Sequence, residues 1–162
     1  MKTYLDIETS FEGGITIVGL YDAARGFRQL VGGEVTDVGL CQALEGADTL
    51  CTYNGEAFDL PVIRRRLGVD LRALYRSHDL LRDCRRLKMK GGLKGVERLL
   101  GIPRTTAGLD GFEAMRLWSR YVNAYDEEAL AILREYNRED VMNLTILEER
   151  IAQLAGRNAD RV

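Results

Sequence analysis

Asp6 and Glu8 stand two residues apart in the stretch Tyr4-Leu5-Asp6-Ile7-Glu8-Thr9-Ser10. The stretch is rich in β-formers. Side chains alternate along a strand, so both carboxylates share one face while Leu5 and Ile7 share the other. Adjacent carboxylates repel each other unless solvent or a cation screens them. The pair therefore reads either as a solvated edge strand or as a site for a hard divalent cation such as Mg²⁺, which prefers carboxylate oxygens. Asp140 is a further candidate, with Tyr136 four residues earlier and hence on the same side of a helix. Asp140 reads either as a solvated rim residue or as a carboxylate at the edge of a packed face.

The elements that must position these residues can be followed along the chain. Ile15 to Tyr21 and Phe27 to Val31 read as strands joined through a turn near Asp22–Gly26, with Gly13-Gly14 linking back to the first strand. Val38 to Leu44 fits a short helix, and Thr49 to Tyr53 a buried parallel strand. Asn54-Gly55 is a turn signal, followed by Phe58-Asp59 and by Pro61 in the first turn of a helix ending at Gly68. A last short strand is expected around Tyr75–His78, with Asp79 either capping the next helix or facing the site. Gly91-Gly92 opens a helix from Leu93 to Leu100, and Arg104 to Gly111 is a polar loop. From Phe112 to Val122 the stripe Phe112, Met115, Trp118 and Val122 (or Tyr121) predicts a core face rather than a base-stacking platform. The final helix, Asp126 to Leu154, carries the stripe Leu130, Leu133, Leu144, Leu147, Ile151 and Leu154, which extends through Asn137 and reaches Asp140 or Val141.

A chain of 162 residues with ordinary apolar content and only two prolines predicts a single globular domain over residues 1–162. No apolar run reaches membrane-spanning length, and no secretory leader pattern opens the chain, so a cytoplasmic location and no membrane partner are expected. Cys41, Cys51 and Cys84 are odd in number and lack C-x-x-C spacing. With His78 as the single histidine they make a poor zinc set, and they are expected to be buried or semi-buried thiols. The net charge of −2 conceals an asymmetry: Arg64 to Arg104 holds 13 Lys/Arg against 4 Asp/Glu. This basic band, including Arg82, Arg85, Arg86, Lys88, Lys90 and Lys94, reads as a solvated face or as a surface for a phosphate backbone.

The order Asp6-x-Glu8, Asn54-x-x-x-Phe58-Asp59 and Tyr136-x-x-x-Asp140 resembles the three exonuclease motifs of the DEDD superfamily. A tyrosine four residues before the last aspartate resembles its DEDDy branch. Thr52 to Ile63 and Tyr136 to Leu144 are also similar to the predicted bacterial YprB-like exonuclease domains. The resemblance implies an α/β, ribonuclease H-like fold, with a mixed five-stranded sheet flanked by helices, as in polymerase proofreading domains. It implies a 3′–5′ exonuclease on single-stranded or frayed DNA or RNA ends, using two Mg²⁺ or Mn²⁺ ions.

On this resemblance Asp6 bridges both ions, Glu8 and Asp140 complete the first ion's shell, and Asp59 holds the second through water. Tyr136 orients the attacking water, its phenol being too weak an acid to serve as a base near neutrality. Asn54 and Phe58 position the terminal nucleotide, and Arg85, Arg86, Lys88 and Lys94 contact the backbone. A nucleic-acid-binding module with vestigial activity and an internally cutting nuclease of the same fold are the alternative readings.

Overall fold

In a computed structural model, which describes residues 1–159, five strands form one mixed sheet of order β3-β2-β1-β4-β5. Strand β1 spans Lys2–Thr9, β2 Ile15–Asp22 and β3 Gly26–Val31, all antiparallel. Strands β4 (Thr49–Thr52) and β5 (Arg76–Asp79) extend the sheet beside β1 in parallel. The antiparallel half comes from tight turns, and the parallel half from helical crossovers, as expected from the chain.

Helices cover both faces. On one, α1 (Asp37–Ala43), α2 (Asp59–Leu67) and α3 (Leu71–Leu74) build a core in which Leu40, Leu60, Ile63 and Leu71 meet Leu5 and Ile7 of β1. Gly68 ends α2 in the left-handed conformation that glycine adopts without penalty. On the other face lie α4 (Leu80–Arg86), α5 (Leu93–Leu100), α6 (Gly111–Ala124) and the long α7 (Glu127–Ala159). Leu133, Leu144, Leu147 and Ile151 of α7 are buried there, while Leu130 and Leu154 are half-buried. Alternation on β1 thus sends Leu5 and Ile7 to one core and Asp6 and Glu8 toward α7. Among the described residues no helix is long and apolar enough to cross a membrane.

Three expectations need correction. The α6 stripe is only partly the core face: Trp118 packs against the core, but Ala114 and Leu117 are its buried residues, while Phe112 is 56% and Val122 50% exposed. The second apolar stripe of α6 borders a groove lined by Phe11, Met115, Trp118 and Val122, and Phe112 meets Phe11 edge-on at 5.5 Å. Cys51 and Cys84 are buried thiols, but Cys41 is exposed because α1 turns Leu40 inward. The basic band is also not one surface. Arg64, Arg65 and Arg66 lie on α2, Arg85, Arg86 and Lys88 are exposed across the sheet on and after α4, and the Arg104 side chain is buried.

Candidate active site

Asp6 and Glu8 point from the central strand β1 toward α7, which contributes Asp140 and Tyr136. One carboxylate oxygen from each of Asp6, Glu8 and Asp140 lies within 4.8 Å of the others. Asp59 opens α2 at the same end of the sheet, where its Oδ1 accepts a 3.1 Å hydrogen bond from the Ile7 amide. It lines the same cleft without joining that three-residue cluster. Asn54, Phe58, Tyr53 and Met115 complete a cleft of about 460 Å³. A second opening of about 470 Å³, lined by Asp6, Asp140, Tyr136, Lys94 and Gly92, continues from it.

The height of α7 above the sheet is set by a glycine. Gly19 of β2 pairs with Asp6 in register, and a Cβ there would fall 2.2 Å from Asn137 Oδ1. The missing side chain lets Asn137 donate from Nδ2 to Asp6 Oδ2 at 3.0 Å, while its Oδ1 accepts from Gln29 at 2.9 Å. Asn54 has φ +62, a left-handed conformation that asparagine tolerates. Its backbone N–H donates to Asp79 Oδ1 at 2.7 Å, and the Leu81 backbone N–H donates to the same oxygen at 3.0 Å. Asp79 therefore caps α4, as the sequence suggests, and also fixes the turn that carries Asn54.

Two cations enter the acidic cluster. Lys94 Nζ donates to the Tyr136 hydroxyl and to Leu109 O, and lies 4.1 Å from the Tyr136 ring centre. Arg104 Nη2 lies 2.5 Å from Asp140 Oδ1, while its Nη1 meets both Glu97 oxygens at 2.9 Å. Glu139, beside Asp140, anchors the loop after Arg104 by accepting from the amides and hydroxyls of Thr105 and Thr106. Burial raises the Glu139 carboxyl, but these donors outweigh it and bring it down to about 2.

The cluster itself moves the other way. Burial raises Asp6 and Glu8 well above the usual carboxylate range, and repulsion from Asp140 and the other acids adds to it. Burial also lifts Asp59 to about 7, against its amide hydrogen bonds, and Asp140 to about 6, against the Arg104 guanidinium. Desolvation, then the charges of Asp140 and Glu8, raise the Tyr136 phenol far above its ordinary value, so it stays protonated. Asp6, Glu8 and Asp140, with Asp59 beside them, form a donor set suited to hard divalent ions. The buried Glu8 Oε1 has no hydrogen-bond partner among the described residues, which fits an oxygen built for a metal.

Of the residues singled out in the sequence, Asp6, Glu8, Asp59, Asp140, Tyr136, Asn54, Phe58 and Lys94 converge on these two openings. Arg85, Arg86 and Lys88 are exposed and line neither, and Arg86 pairs with Asp83 at 2.9 Å. Sequence reasoning gave no role to Arg104 and noted Asn137 only as a stripe position. A glycine inside β2 was the available signal for the close approach of Asn137, whereas nothing local marked the Arg104 contacts.

The profile of the RNase H superfamily matches residues 3–152. No curated protein matches the chain. The fold is similar to that of the family B DNA polymerase from the hyperthermophilic archaeon Pyrobaculum calidifontis, with a TM-score of 0.76 and 17% identity. That match covers 93% of this chain and 24% of the polymerase, so the chain spans about a quarter of that protein's length. The chain belongs to the RNase H superfamily, and its mixed five-stranded sheet is ribonuclease H-like.

Proposed function

We propose that this member of the RNase H superfamily is a metal-dependent 3′–5′ exonuclease of the tyrosine branch, acting on single-stranded or frayed DNA or RNA ends. The observation that carries the reading is the convergence of Asp6, Glu8, Asp59 and Asp140 with Tyr136, Asn54 and Phe58 on one cleft. Asp6, Glu8 and Asp140, with Asp59 beside them, would hold two Mg²⁺ or Mn²⁺ ions, which supply an activated water and stabilise charge on the attacking and leaving oxygens.

The chain's own groups then divide the remaining work. The protonated Tyr136 hydroxyl orients the water, because a phenol held this high cannot remove its proton. Lys94, whose ammonium already faces Asp140 and Glu8, offsets charge on the scissile phosphate. Phe58 is 47% exposed beside the acids and offers its ring face to the terminal base, with the Asn54 amide available to the sugar edge. Asn137 orients Asp6 and does not touch substrate.

The test is end-labelled single-stranded DNA and RNA, incubated with Mg²⁺ or Mn²⁺ and with chelator. A ladder shortening from the 3′ end, absent with EDTA and lost in Asp6→Ala, supports the proposal. Cleavage of a circular or 3′-blocked substrate at the same rate would assign the site to internal cutting. Full activity in EDTA would end the metal account.

A further inference from the structure

Cys51, His78 and Glu148 meet on the α7 face of the sheet and line neither of the two acidic openings. Cys51 of β4 and His78 of β5 are register partners in parallel strands, and Tyr4 of β1 is the partner of Cys51 on its other side. The row Tyr4–Cys51–His78 therefore lies across the sheet, and α7 lowers Glu148 onto it. One ligand atom from each of Cys51, His78 and Glu148 lies within 4.8 Å of the others. His78 Nδ1 is 3.9 Å from Cys51 Sγ and 3.2 Å from Glu148 Oε1. These separations are within small side-chain adjustments of those around a zinc ion bonded at about 2.0–2.3 Å.

The surroundings also favour an ion. His78 Nε2 lies 2.6 Å from Asp83 Oδ2, so the ring can donate Nε2–H to a carboxylate while Nδ1 keeps its lone pair toward Cys51 and Glu148. A carboxylate behind an imidazole in this way fixes the tautomer required of a metal ligand. Glu148 already attracts positive charge: Lys2 Nζ sits on its Oε1 at 2.5 Å, on a side chain exposed enough to swing away. The Cys51 thiol is buried. His78, a third exposed, leaves the cluster open to solvent on one side.

We propose that Cys51, His78 Nδ1 and Glu148 form a second metal site, for a Zn²⁺-class ion, distinct from the carboxylate cluster. A thiolate with an imidazole selects Zn²⁺ over Mg²⁺, whereas four carboxylates do the reverse. On binding, the Cys51 Sγ–H bond breaks, its proton goes to solvent, and the thiolate and the Glu148 carboxylate neutralise the ion. The ion ties β4, β5 and α7 together, and the fourth coordination position is left to water. Cysteine spacing in the sequence could not show this, since the ligands are brought together by strand register and by the long helix.

The experiment titrates the chelator-stripped full chain with Zn²⁺, and with Co²⁺ as a spectroscopic probe, in an Asp6→Asn/Asp140→Asn background that disables the acidic cluster. One Zn²⁺ per chain should bind and raise Tm, and Co²⁺ should show thiolate charge-transfer absorption. His78→Gln, at a partly exposed position, should weaken Zn²⁺ binding by at least about tenfold, and Asp83→Asn by about 10–100-fold. Cys51→Ser should abolish the thiolate band; if that buried substitution fails to fold, His78→Gln and Glu148→Gln carry the test. Zinc binding unchanged in His78→Gln, binding lost with the acidic cluster alone, or Co²⁺ bound without a thiolate band would each overturn the proposal.

Discussion

Tyr136→Phe separates a hydroxyl that acts from a ring that packs. The ring is buried with Ile17, Leu117 and Leu133, and Tyr136 lines the cleft, where its hydroxyl accepts from Lys94. Phenylalanine keeps the packing. Lys94 keeps its 2.5 Å bond to Leu109 O and its place over the ring. The stability cost is one hydrogen bond to a charged group, about 1.5 kcal/mol. For a chain of this size that is about 3–6 °C of Tm. Tyr136→Ala removes the ring as well and should cost about 3–5 kcal/mol through the cavity it leaves. If the hydroxyl orients the water, Tyr136→Phe should slow single-turnover cleavage by about 10²–10⁴-fold with little change in substrate affinity. Cleavage and thermal melting measured on both variants distinguish the roles. Turnover of Tyr136→Phe within about threefold of the parent, far short of that range, would refute the water-orienting role and leave Tyr136 as a core aromatic.

The raised carboxyls predict how metal binding responds to pH. Their folded values exceed the ordinary range near 4, so the metal-free fold binds more protons than the unfolded chain between about pH 4 and 7, and their contribution to stability falls as pH rises through that window. The Tm increase produced by Mn²⁺ should therefore be larger at pH 8 than at pH 5.5, and equal shifts would contradict the raised carboxyls. Arg104→Met leaves Glu97, 1% exposed, with only the Asn143 side chain, and should cost about 3–5 kcal/mol, or roughly 6–20 °C. Adding Glu97→Gln should recover much of that loss, and a drop below about 2 °C would show the pair to be unimportant, being under that range. Gly19→Ala places a methyl against Asn137 and Val141, so it should weaken Mn²⁺ binding, measured by titration, although Gly19 offers no ligand. Neutralising Arg85, Arg86 and Lys88 together should shift Tm by no more than about 3–6 °C, as expected for three exposed sites at about 0.5 kcal/mol each. It should flatten the salt dependence of DNA binding by about 0.7 per lost phosphate contact, and an unchanged slope would return these residues to a solvated face.

Local rules carried the sequence reading as far as local physics reaches. Alternation along β1 placed Asp6 and Glu8 on one side, and helical spacing placed Tyr136 beside Asp140. Short turns and a crossover indicated strand directions, the resemblance implied the five-stranded sheet, and Asp79 acts as the cap its position suggests. What failed depends on which neighbour each face finds. Helix α6 offers two apolar stripes, and packing against α7 buries the one with Leu117. The basic run crosses from α2 to α4, so consecutive charges end on opposite faces of the sheet. The Cys51–His78 pairing is a register fact, invisible in the spacing of one cysteine and one histidine 27 residues apart.

The buried Arg104 guanidinium and the half-buried Lys94 link these observations. Four acids drawn together by β1, α2 and α7 repel one another, and a fold that only had to be stable would replace them with apolar side chains. Here the repulsion is held instead by Arg104 on Asp140, by Asn137 on Asp6, and by Lys94 facing Asp140 and Glu8. Each support is itself fastened elsewhere: Arg104 by Glu97, Asn137 by Gln29, and Lys94 by Leu109 O. Such bracing keeps carboxylate oxygens in place before any ion arrives, so binding need not also pay for ordering them. The supports therefore serve position more than stability, and that is why a glycine in β2 and an arginine in a loop belong to the site as much as its ligands do.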